Sequence, residues 1–415
     1  MIGISRLYAG TSATDTDPLR YGRGNGQGPP GGPGPDDRKP VVVWNCSRRC
    51  NLRCIHCYAD SENQQYEGEL TTGQAEALID DLADFGAPVL LFSGGEPLMR
   101  RDVLRLAAYA ADRGIRPVIS TNGTLITKRK AAEIVAARVA YVGISLDGIG
   151  GTNDYFRGRE GAFEMALRGI RNCVSAGQKV GLRLTLTRHN FRELPRIFAL
   201  IERENIDRAC FYHLVYSGRG RGIAGSDLTH EETRSAVDYI CAQARRFREQ
   251  GVAKEILTVD NHADGVYVYL KLREEDPERA EQVLALLRWN GGNRSGIGIA
   301  NIDNTGEVHA DQFWWSHSFG NVKHRPFSDI WGDPSDPLLA GLRDRKALLS
   351  GRCAACRFLD VCNGNFRVRA LAVHGDAWAP DPACYLTDEE IGLSASQELV
   401  AGGGRARRRA RAERR

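Results

Sequence analysis

The chain has 415 residues, of which 42% are hydrophobic and 26% charged, so it can bury one large core or two smaller ones. It contains no apolar run of the roughly 18 to 20 residues that a membrane span needs, and its start lacks the apolar segment of a secretory signal. We therefore expect a globular cytoplasmic protein of two domains without membrane contact. The net charge of +4 arises in residues 405–415, whose seven arginines and one glutamate leave the rest of the chain at −2, which argues against a specific nucleic-acid partner.

Two segments are expected to lie outside the packed domains. Residues 1–40 combine a short N-terminal arm with a Gly- and Pro-rich connector, and residues 399–415 form a basic tail. The composition of residues 21–40 and of the tail predicts flexible chain, although weak contact of the tail with RNA or an acidic partner is the alternative. Between them we predict a barrel domain over residues 41–225 and a bridging, cysteine-rich domain over residues 226–398.

From residue 41 onward, short apolar runs alternate with longer segments of helical period, which predicts parallel strands joined by helices. Right-handed crossovers would curl six such units into an open barrel. The predicted fold class is therefore α/β, a partial TIM-like (β/α)6 barrel followed by a cysteine-rich C-terminal domain. The predicted strands are Val41–Trp44, Pro88–Ser93, Arg116–Thr121, Tyr141–Leu146, Val180–Leu186 and Arg208–Leu214, and the predicted apolar helix face comprises Ala75, Leu78, Ile79 and Leu82.

The eleven cysteines are unlike a disulfide framework, because a reducing compartment keeps thiols free. Eight of them form two clusters and are candidate metal ligands. The other three, Cys173, Cys210 and Cys241, stand alone and are expected to be small buried residues.

The first cluster directly follows the first predicted strand, at the end of a barrel where chemistry collects. Cys50, Cys54 and Cys57 have the spacing C-x3-C-x2-C, and Cys46 lies just before them. Three thiolates on a four-iron cluster leave one iron free to bind a small chelating molecule. A structural zinc site completed by Cys46 is the alternative.

Polar motifs also follow the second predicted strand. Gly94 and Gly95 allow a ligand to approach bare backbone, and Glu96 can accept hydrogen bonds from an ammonium group. Taken alone, the two glycines are equally typical of an ordinary turn.

Later strands supply three further candidates. Ser145 and Asp147, at the end of the fourth strand, could meet ribose hydroxyls, or could belong to a plain Asp-Gly turn. Arg183, on the fifth strand, points into the barrel if Leu182 and Leu184 face the helices. A surface salt bridge is the alternative for this arginine.

The second cluster comprises Cys353, Cys356, Cys362 and Cys384, with the spacing C-x2-C-x5-C-x21-C. Four thiolates can saturate a metal centre. A closed zinc site is one interpretation of this spacing, and an iron–sulfur cluster is the other.

The stretches CNLRCIHC and SGGEP, one βα unit apart, resemble the radical S-adenosylmethionine (SAM) superfamily. The resemblance implies a 4Fe–4S cluster on Cys50, Cys54 and Cys57, whose open iron binds SAM and splits it, after uptake of one electron, into methionine and a deoxyadenosyl radical. It also implies that the segment 94–96 binds the SAM amino group and that Arg183 binds the SAM carboxylate. Cys46 is then a spare cysteine packed under the loop, and the electron donor is a flavodoxin or a ferredoxin.

The C-terminal cysteines resemble the SPASM/Twitch extension of that superfamily, which implies one auxiliary 4Fe–4S cluster. The stretches LTVDNHADG and WAPDPACYLTDEEIG resemble the superfamily members that remove acetate from didecarboxysiroheme, whereas WNGGN and GIANIDNTGEVHADQFWW resemble those that remove propionate in haem d1 synthesis. The implied substrate is a siroheme-derived tetrapyrrole, and acetate removal giving Fe-coproporphyrin III is the favoured reaction. A peptide-modifying radical enzyme and a non-catalytic zinc protein are the alternatives.

A few residues of the middle region are further candidates. His213 and His309 could be iron ligands or proton donors, and one of Trp314 and Trp315 could stack on a flat ligand. Arg219 and Arg221 could clamp substrate carboxylates. For each of these residues the alternative is an ordinary structural role, in the core or in a solvated loop.

Overall fold

A computed structural model describes residues 1–12, 14, 17–22 and 38–393. Most of the predicted Gly- and Pro-rich connector, residues 23–37, and the predicted basic tail lie outside the described residues. The predictions for those two segments therefore stay predictions.

The described strands form one sheet, whose order is β1-β8-β7-β6-β5-β4-β3-β2-β9-β10. The eight strands from β8 to β9 in this order run parallel, and β1 and β10 pair antiparallel at the two edges. The strands are β1 Ile2–Gly3, β2 Val41–Ser47, β3 Val89–Gly94, β4 Arg116–Thr121, β5 Tyr141–Ser145, β6 Val180–Leu186, β7 Arg208–His213, β8 Glu255–Val259, β9 Ile299–Ile302 and β10 Val308–His309.

All six predicted strands are confirmed, as β2 to β7. The sequence prediction lacked β8 and β9, which extend the parallel sheet at both ends by pairing with β7 and β2. Strands from residues 1–40 and 226–398 thus belong to the same sheet as the predicted barrel domain. The predicted domain boundaries consequently do not coincide with limits of the sheet.

Helices follow most strands and cover the outside of the sheet. Within the described ranges, no helix is long and apolar enough to cross a bilayer. The α-helices are α1 Asp17–Tyr21, α2 Thr72–Phe85, α3 Val103–Asp112, α4 Lys128–Ala136, α5 Gly151–Arg157, α6 Ala162–Ser175, α7 Leu194–Arg203, α8 His230–Glu249, α9 Ala263–Glu275, α10 Pro277–Asn290, α11 Phe327–Gly332, α12 Pro337–Arg343, α13 Gly351–Ala355, α14 Leu359–Cys362, α15 Arg367–His374 and α16 Asp388–Ile391. A π-helical turn spans Ser5–Ala9, and 3₁₀ segments span Pro97–Met99, Phe191–Glu193 and Gly218–Ser226.

Helix α2 illustrates how the sequence specifies these elements. Thr71 caps its N-terminus in a reciprocal pair with Gln74, and Gly86 ends it in the left-handed conformation at φ 84°. Burying each aliphatic side chain of such a face stabilises the fold by about 1.5–3 kcal/mol. The buried residues of α2 are the four predicted from the sequence, Ala75, Leu78, Ile79 and Leu82.

The parallel strands curl around a common lumen. A single cavity is lined by at least one residue from each of the eight parallel strands, which a flat sheet could not achieve. These residues are Val43, Leu91, Val118, Tyr141, Arg183, Tyr212, Val259 and Ile299. The predicted open barrel is therefore confirmed, and its lumen leads to the loops at the carboxyl ends of the strands.

Candidate active site

A cavity of about 160 Å³ lies at the carboxyl ends of the parallel strands. Of the nine residues predicted for the SAM and first-cluster site, eight line this cavity and only Glu96 does not. The eight are Cys50, Cys54, Cys57, Gly94, Gly95, Ser145, Asp147 and Arg183. The structure thus brings together residues from four separate loops and strands.

The thiols of the first loop receive N–H donors from neighbouring groups. The Leu52 backbone N–H lies 3.4 Å from Cys50 Sγ, and Asn122 Nδ2 lies 3.9 Å from the same sulfur. Arg157 Nη1 lies 3.6 Å from Cys54 Sγ. Such donors stabilise thiolates and tune iron–sulfur clusters, so this set of donors fits a cluster held by three cysteines.

Cys46 is separate from this set. It is fully buried in the main core, with its Sγ 3.5 Å from the Ser93 carbonyl oxygen, and burial raises the pKa of its thiol to about 12. The expectation that Cys46 packs beneath the loop is borne out. The lone cysteines Cys173, Cys210 and Cys241 are also buried, as predicted.

Asp147 belongs to a buried ion-pair network, so its carboxylate is not a free hydrogen-bond acceptor. Its Oδ1 accepts a hydrogen bond from the Thr185 backbone N–H at 2.7 Å, and its Oδ2 contacts Arg157 and lies 3.2 Å from His56 Nε2. Burial by itself raises the pKa of Asp147, but the charges of Arg157 and His56 outweigh it and lower the pKa to about 2. The predicted ribose contact of Asp147 therefore competes with these partners.

Arg157 and His56 were missed by the sequence prediction. Arg157 bridges Asp147 and Cys54, which ties the cysteine loop to the end of β5. His56 lies between two cysteines of the motif, and that position was the one available signal. For Arg157 the sequence offers none, because it closes α5 far from any motif.

Gly94, the last residue of β3, and Gly95 are required because the cysteine loop approaches them closely. A Cβ on Gly94 would lie 2.1 Å from the Ser47 carbonyl oxygen, and one on Gly95 would lie 2.4 Å from the Arg49 carbonyl oxygen. The Gly95 N–H donates to Ser47 O at 2.8 Å. These glycines thus lock the cysteine loop against β3, in addition to exposing backbone to the cavity.

Glu96 does not line the cavity, in contrast to the prediction that it binds an ammonium group there. It is fully buried, and its carboxylate accepts hydrogen bonds from Thr121 Oγ1 at 2.7 Å, the Asn122 N–H at 2.8 Å and the Leu98 N–H at 3.0 Å. Burial raises the pKa of this carboxyl group, although the three donors oppose the rise. Glu96 therefore joins the loops after β3 and β4.

Arg183 lies inside the barrel, because Leu182 and Leu184 face the helices and are buried. Its guanidinium lies 4.9 Å from the centre of the Tyr212 ring. In the described ranges it makes no ion pair with a carboxylate, so the surface salt bridge considered from sequence is excluded. A desolvated guanidinium of this kind can bind an anionic ligand.

Arg219 also lines the cavity, but its donors are used to hold the cysteine loop. Its Nε donates to the Cys54 carbonyl oxygen at 2.7 Å, and its Nη2 donates to Ser61 O at 3.1 Å. Arg221 is exposed, and its Nε donates to the Tyr216 carbonyl oxygen at 3.3 Å. Trp314 is a buried core residue, as the structural alternative predicted.

His213 lines the cavity from the end of β7 and leads into a buried hydrogen-bond chain. Its Nε2 lies 2.8 Å from Asp264 Oδ2, and Tyr385 Oη donates to Asp264 Oδ1 at 2.8 Å. Asp264 is fully buried. Since Tyr385 follows Cys384 in the chain, this contact links the cavity to the second cysteine cluster.

The four C-terminal cysteines form a second site. Burial raises the pKa of Cys362, and Cys353, Cys356 and Cys384 raise it further. Arg352, next to Cys353, donates to the Cys384 carbonyl oxygen at 3.1 Å, which brings the segments of these two cysteines together. The Phe358 N–H lies 3.4 Å from Cys356 Sγ. Across the described residues, no three His, Cys, Asp or Glu side chains converge as one metal ion requires. A four-iron cluster binds each thiolate through a separate iron, so this donor set fits a cluster.

Comparisons with known proteins agree with this geometry. The Radical SAM superfamily model matches residues 44–201. The chain is 58% identical to Fe-coproporphyrin III synthase from Methanosarcina barkeri, over 94% of this chain and 99% of that protein. It is 47% identical to pre-heme d1 synthase from Dinoroseobacter shibae, over 86% of this chain and 88% of that protein.

Among solved structures, the chain is similar to Streptococcus suis SuiB bound to the precursor peptide SuiA, with a TM-score of 0.66. The likeness covers 84% of this chain and 76% of that chain, and at 18% identity it concerns the fold alone. The cysteine loop, the barrel and the two full-length relatives agree, and the alternative of a non-catalytic zinc protein is excluded. The chain belongs to the radical SAM superfamily.

Proposed function

We propose that this radical SAM enzyme removes acetate side chains from didecarboxysiroheme and so forms Fe-coproporphyrin III. The observation that carries the proposal is the 58% identity to Fe-coproporphyrin III synthase, which extends over nearly the whole of both chains. The cavity supports it, because a half-buried arginine, Arg183, lies beside the cysteine loop without a carboxylate partner among the described residues, and the substrate class carries several carboxylates.

The proposed roles of the cavity residues follow from their positions. Cys50, Cys54 and Cys57 hold the 4Fe–4S cluster that superfamily membership implies, and the bound cluster supplies the electron that cleaves SAM. The backbone of the segment 94–95 and the Ser145 hydroxyl orient SAM. Arg183 binds a carboxylate, either that of SAM or one of the substrate.

Other residues act by fixing these groups. Arg157 and Asp147 hold the cysteine loop against the end of β5, and Glu96 holds the glycine pair through its three hydrogen bonds. A rigid, mostly buried arrangement excludes water from the reacting carbon and keeps the substrate arm next to it. These residues are therefore positioning residues in our proposal.

We further propose that the second cysteine site holds an auxiliary 4Fe–4S cluster and that a flavodoxin or a ferredoxin donates electrons. The supporting observations are the hydrogen bond from Arg352, next to Cys353, to the Cys384 carbonyl oxygen and the Phe358 N–H near Cys356 Sγ. Four cysteine ligands would saturate this cluster. A role in electron transfer then fits better than a role in binding substrate.

Propionate removal is the second candidate, and the 47% identity to pre-heme d1 synthase favours it. Both reactions require the same cavity chemistry, so the difference depends on which side chain lies beside the radical carbon. Product analysis separates the two candidates directly.

The test uses anaerobically purified, cluster-reconstituted enzyme with SAM, a reductant and didecarboxysiroheme, and the products are read by mass spectrometry. Loss of two acetate groups supports the proposal, and loss of two propionate groups supports the second candidate. An unchanged tetrapyrrole, with deoxyadenosine still formed, would reject both. The Cys54→Ala enzyme is the control for chemistry that does not depend on the cluster.

A further inference from the structure

A second cavity, of about 290 Å³, lies in the lumen of the barrel. The two cavities share six lining residues, so they adjoin each other. The shared residues are Val43, Leu91, Arg183, Tyr212, Asp260 and Gln312.

The wall of this lower cavity combines apolar strand faces with several arginines. Val41, Val89 and Val118 contribute apolar surface, and Arg183 contributes a guanidinium group that forms no ion pair with a carboxylate among the described residues, whereas Arg208 is paired with Glu255. Ligand sites of this kind enclose an apolar body and orient it with a few polar groups. A flat macrocycle with carboxylates around its edge has the matching chemistry.

His262, which directly precedes α9, also lines the lower cavity and is only 6% exposed. Within the part of the chain that the structure describes, its Nδ1 is buried without a hydrogen-bond partner, and its Nε2 lies 3.4 Å from the Met1 amino nitrogen. The nearby Asn365 amide oxygen is taken by the His262 backbone N–H, at 2.7 Å. The imidazole thus has coordinating capacity that the fold leaves unused.

The charge state of this imidazole suits ligation of iron. Burial, followed by the positive charges of the N-terminus, Arg345 and Arg369, lowers the pKa of His262 well below its ordinary value, so the ring is neutral. A neutral imidazole is the usual protein ligand of haem iron. Tyr212 is a poorer candidate, because burial raises the pKa of its phenol well above the ordinary value. In His213, one ring nitrogen is already bound to Asp264.

We infer that the tetrapyrrole lies in the lower cavity with its iron ligated by His262 and one edge carboxylate toward Arg183. The inference rests on the proposed function. It adds the binding site of the substrate and the axial ligand of its iron. Ligation would fix the centre of the macrocycle. The side chain to be removed would then be selected by rotation about the iron.

The test measures binding of ferric Fe-coproporphyrin III and of metal-free coproporphyrin III to the reconstituted enzyme without SAM. For the iron form, His262→Ala should weaken binding by roughly 10- to 100-fold, as expected for a lost contact to a metal, and should remove the nitrogen-ligated absorption and EPR spectrum. Added imidazole should restore that spectrum. The metal-free form should bind His262→Ala and the wild type equally.

His309→Ala is the control, because His309 is also a buried histidine but lines neither cavity, and its Nε2 lies 3.7 Å from Asp303 Oδ2. It should leave the spectrum and both affinities unchanged. An unaltered iron spectrum in His262→Ala, or an equal loss of affinity for the metal-free form, would overturn the inference and leave the proposed function standing. If the wild type binds neither porphyrin, the inference falls together with the proposed function.

Discussion

Tyr385 donates a hydrogen bond to Asp264 across 121 positions of sequence, with Tyr385 Oη 2.8 Å from Asp264 Oδ1. The other carboxylate oxygen of Asp264 lies 2.8 Å from Nε2 of His213. The residue next to Cys384 is thereby connected to a side chain that lines the active-site cavity. The contact makes the orientation of His213 depend on the C-terminal region.

Tyr385→Phe is predicted to make the orientation of His213 less well defined. It should leave no cavity in the core, because the aromatic ring is retained. Loss of one buried hydrogen bond should lower the free energy of unfolding by about 1–3 kcal/mol. Tetrapyrrole product should fall more than deoxyadenosine does, since the substrate is less well positioned. Tyr267→Phe, which removes a hydroxyl bonded to Asp238, is the control. Equal loss of both products in Tyr385→Phe would contradict the positioning role.

Arg157→Met is predicted to destabilise the fold by about 3–5 kcal/mol at pH 7, because it leaves the buried Asp147 carboxylate short of its main partner. The pKa of Asp147 is lowered to about 2 in the folded state, so the stabilisation is complete above pH 4 and is lost as the pH falls toward 2. Urea unfolding at pH 7 measures the effect. The double variant with Asp147→Asn should recover part of the loss, and a double variant no more stable than Arg157→Met would count against this explanation.

Asp260→Asn is predicted to stabilise the protein about twice as much at pH 8 as at pH 5, because only about half of the cost of ionising Asp260 has appeared at pH 5. Burial raises the pKa of Asp260 to about 6, although nearby positive charges oppose the rise. The folded state therefore holds a proton that the unfolded state releases above about pH 4, and stability falls as the pH rises from 4 to 6. Removing this ionisation should add about 2–3 kcal/mol at pH 8.

The substitution is compatible with the backbone, because Asp260 has φ 66° and asparagine tolerates that region. Urea unfolding at the two pH values provides the measurement. Part of the pH dependence should persist, since burial raises the pKa of Asp311 to about 6 as well. The same gain at pH 5 and pH 8 would show that ionisation of Asp260 is not the cause.

Gly95→Ala is predicted to disturb the cysteine loop, because the new methyl group would lie 2.4 Å from Arg49 O and 2.6 Å from Arg48 O. The iron content after reconstitution and the rate of SAM cleavage should both fall. Gly73→Ala is the control, since no atom lies within 4 Å of its added Cβ and the change lies in helix α2, where alanine is preferred. A Gly95→Ala enzyme with normal iron content would show that the loop can shift without harm.

The sequence was sufficient for the parts of the fold that periodicity and motif spacing determine. Six strands, the buried face of α2 and eight of the nine residues predicted for the first site are where the patterns placed them. Alternating apolar runs specify strands, and the ends of parallel strands necessarily meet at one edge of a sheet.

The rest depended on long-range contacts that local patterns do not encode. Strand β9 has four residues in a Gly- and Asn-rich stretch, so its pairing with β2 comes from packing. The direction of Glu96 is set by donors on the loop after β4, and the pairing of Arg157 with Asp147 joins residues on different elements. The sequence favours Arg219 as a candidate substrate clamp, but in the fold its guanidinium donates to the carbonyl oxygens of Cys54 and Ser61.

The central claim is that three particular cysteines, and no fourth, form the site where SAM is cleaved. The most direct measurement compares deoxyadenosine formation by reduced, reconstituted Cys54→Ala and Cys46→Ala enzymes. We predict that Cys54→Ala forms none, whereas Cys46→Ala, which alters only a buried core position, retains most of the wild-type rate. Deoxyadenosine formation by Cys54→Ala, or its abolition in a folded Cys46→Ala enzyme, would contradict the account.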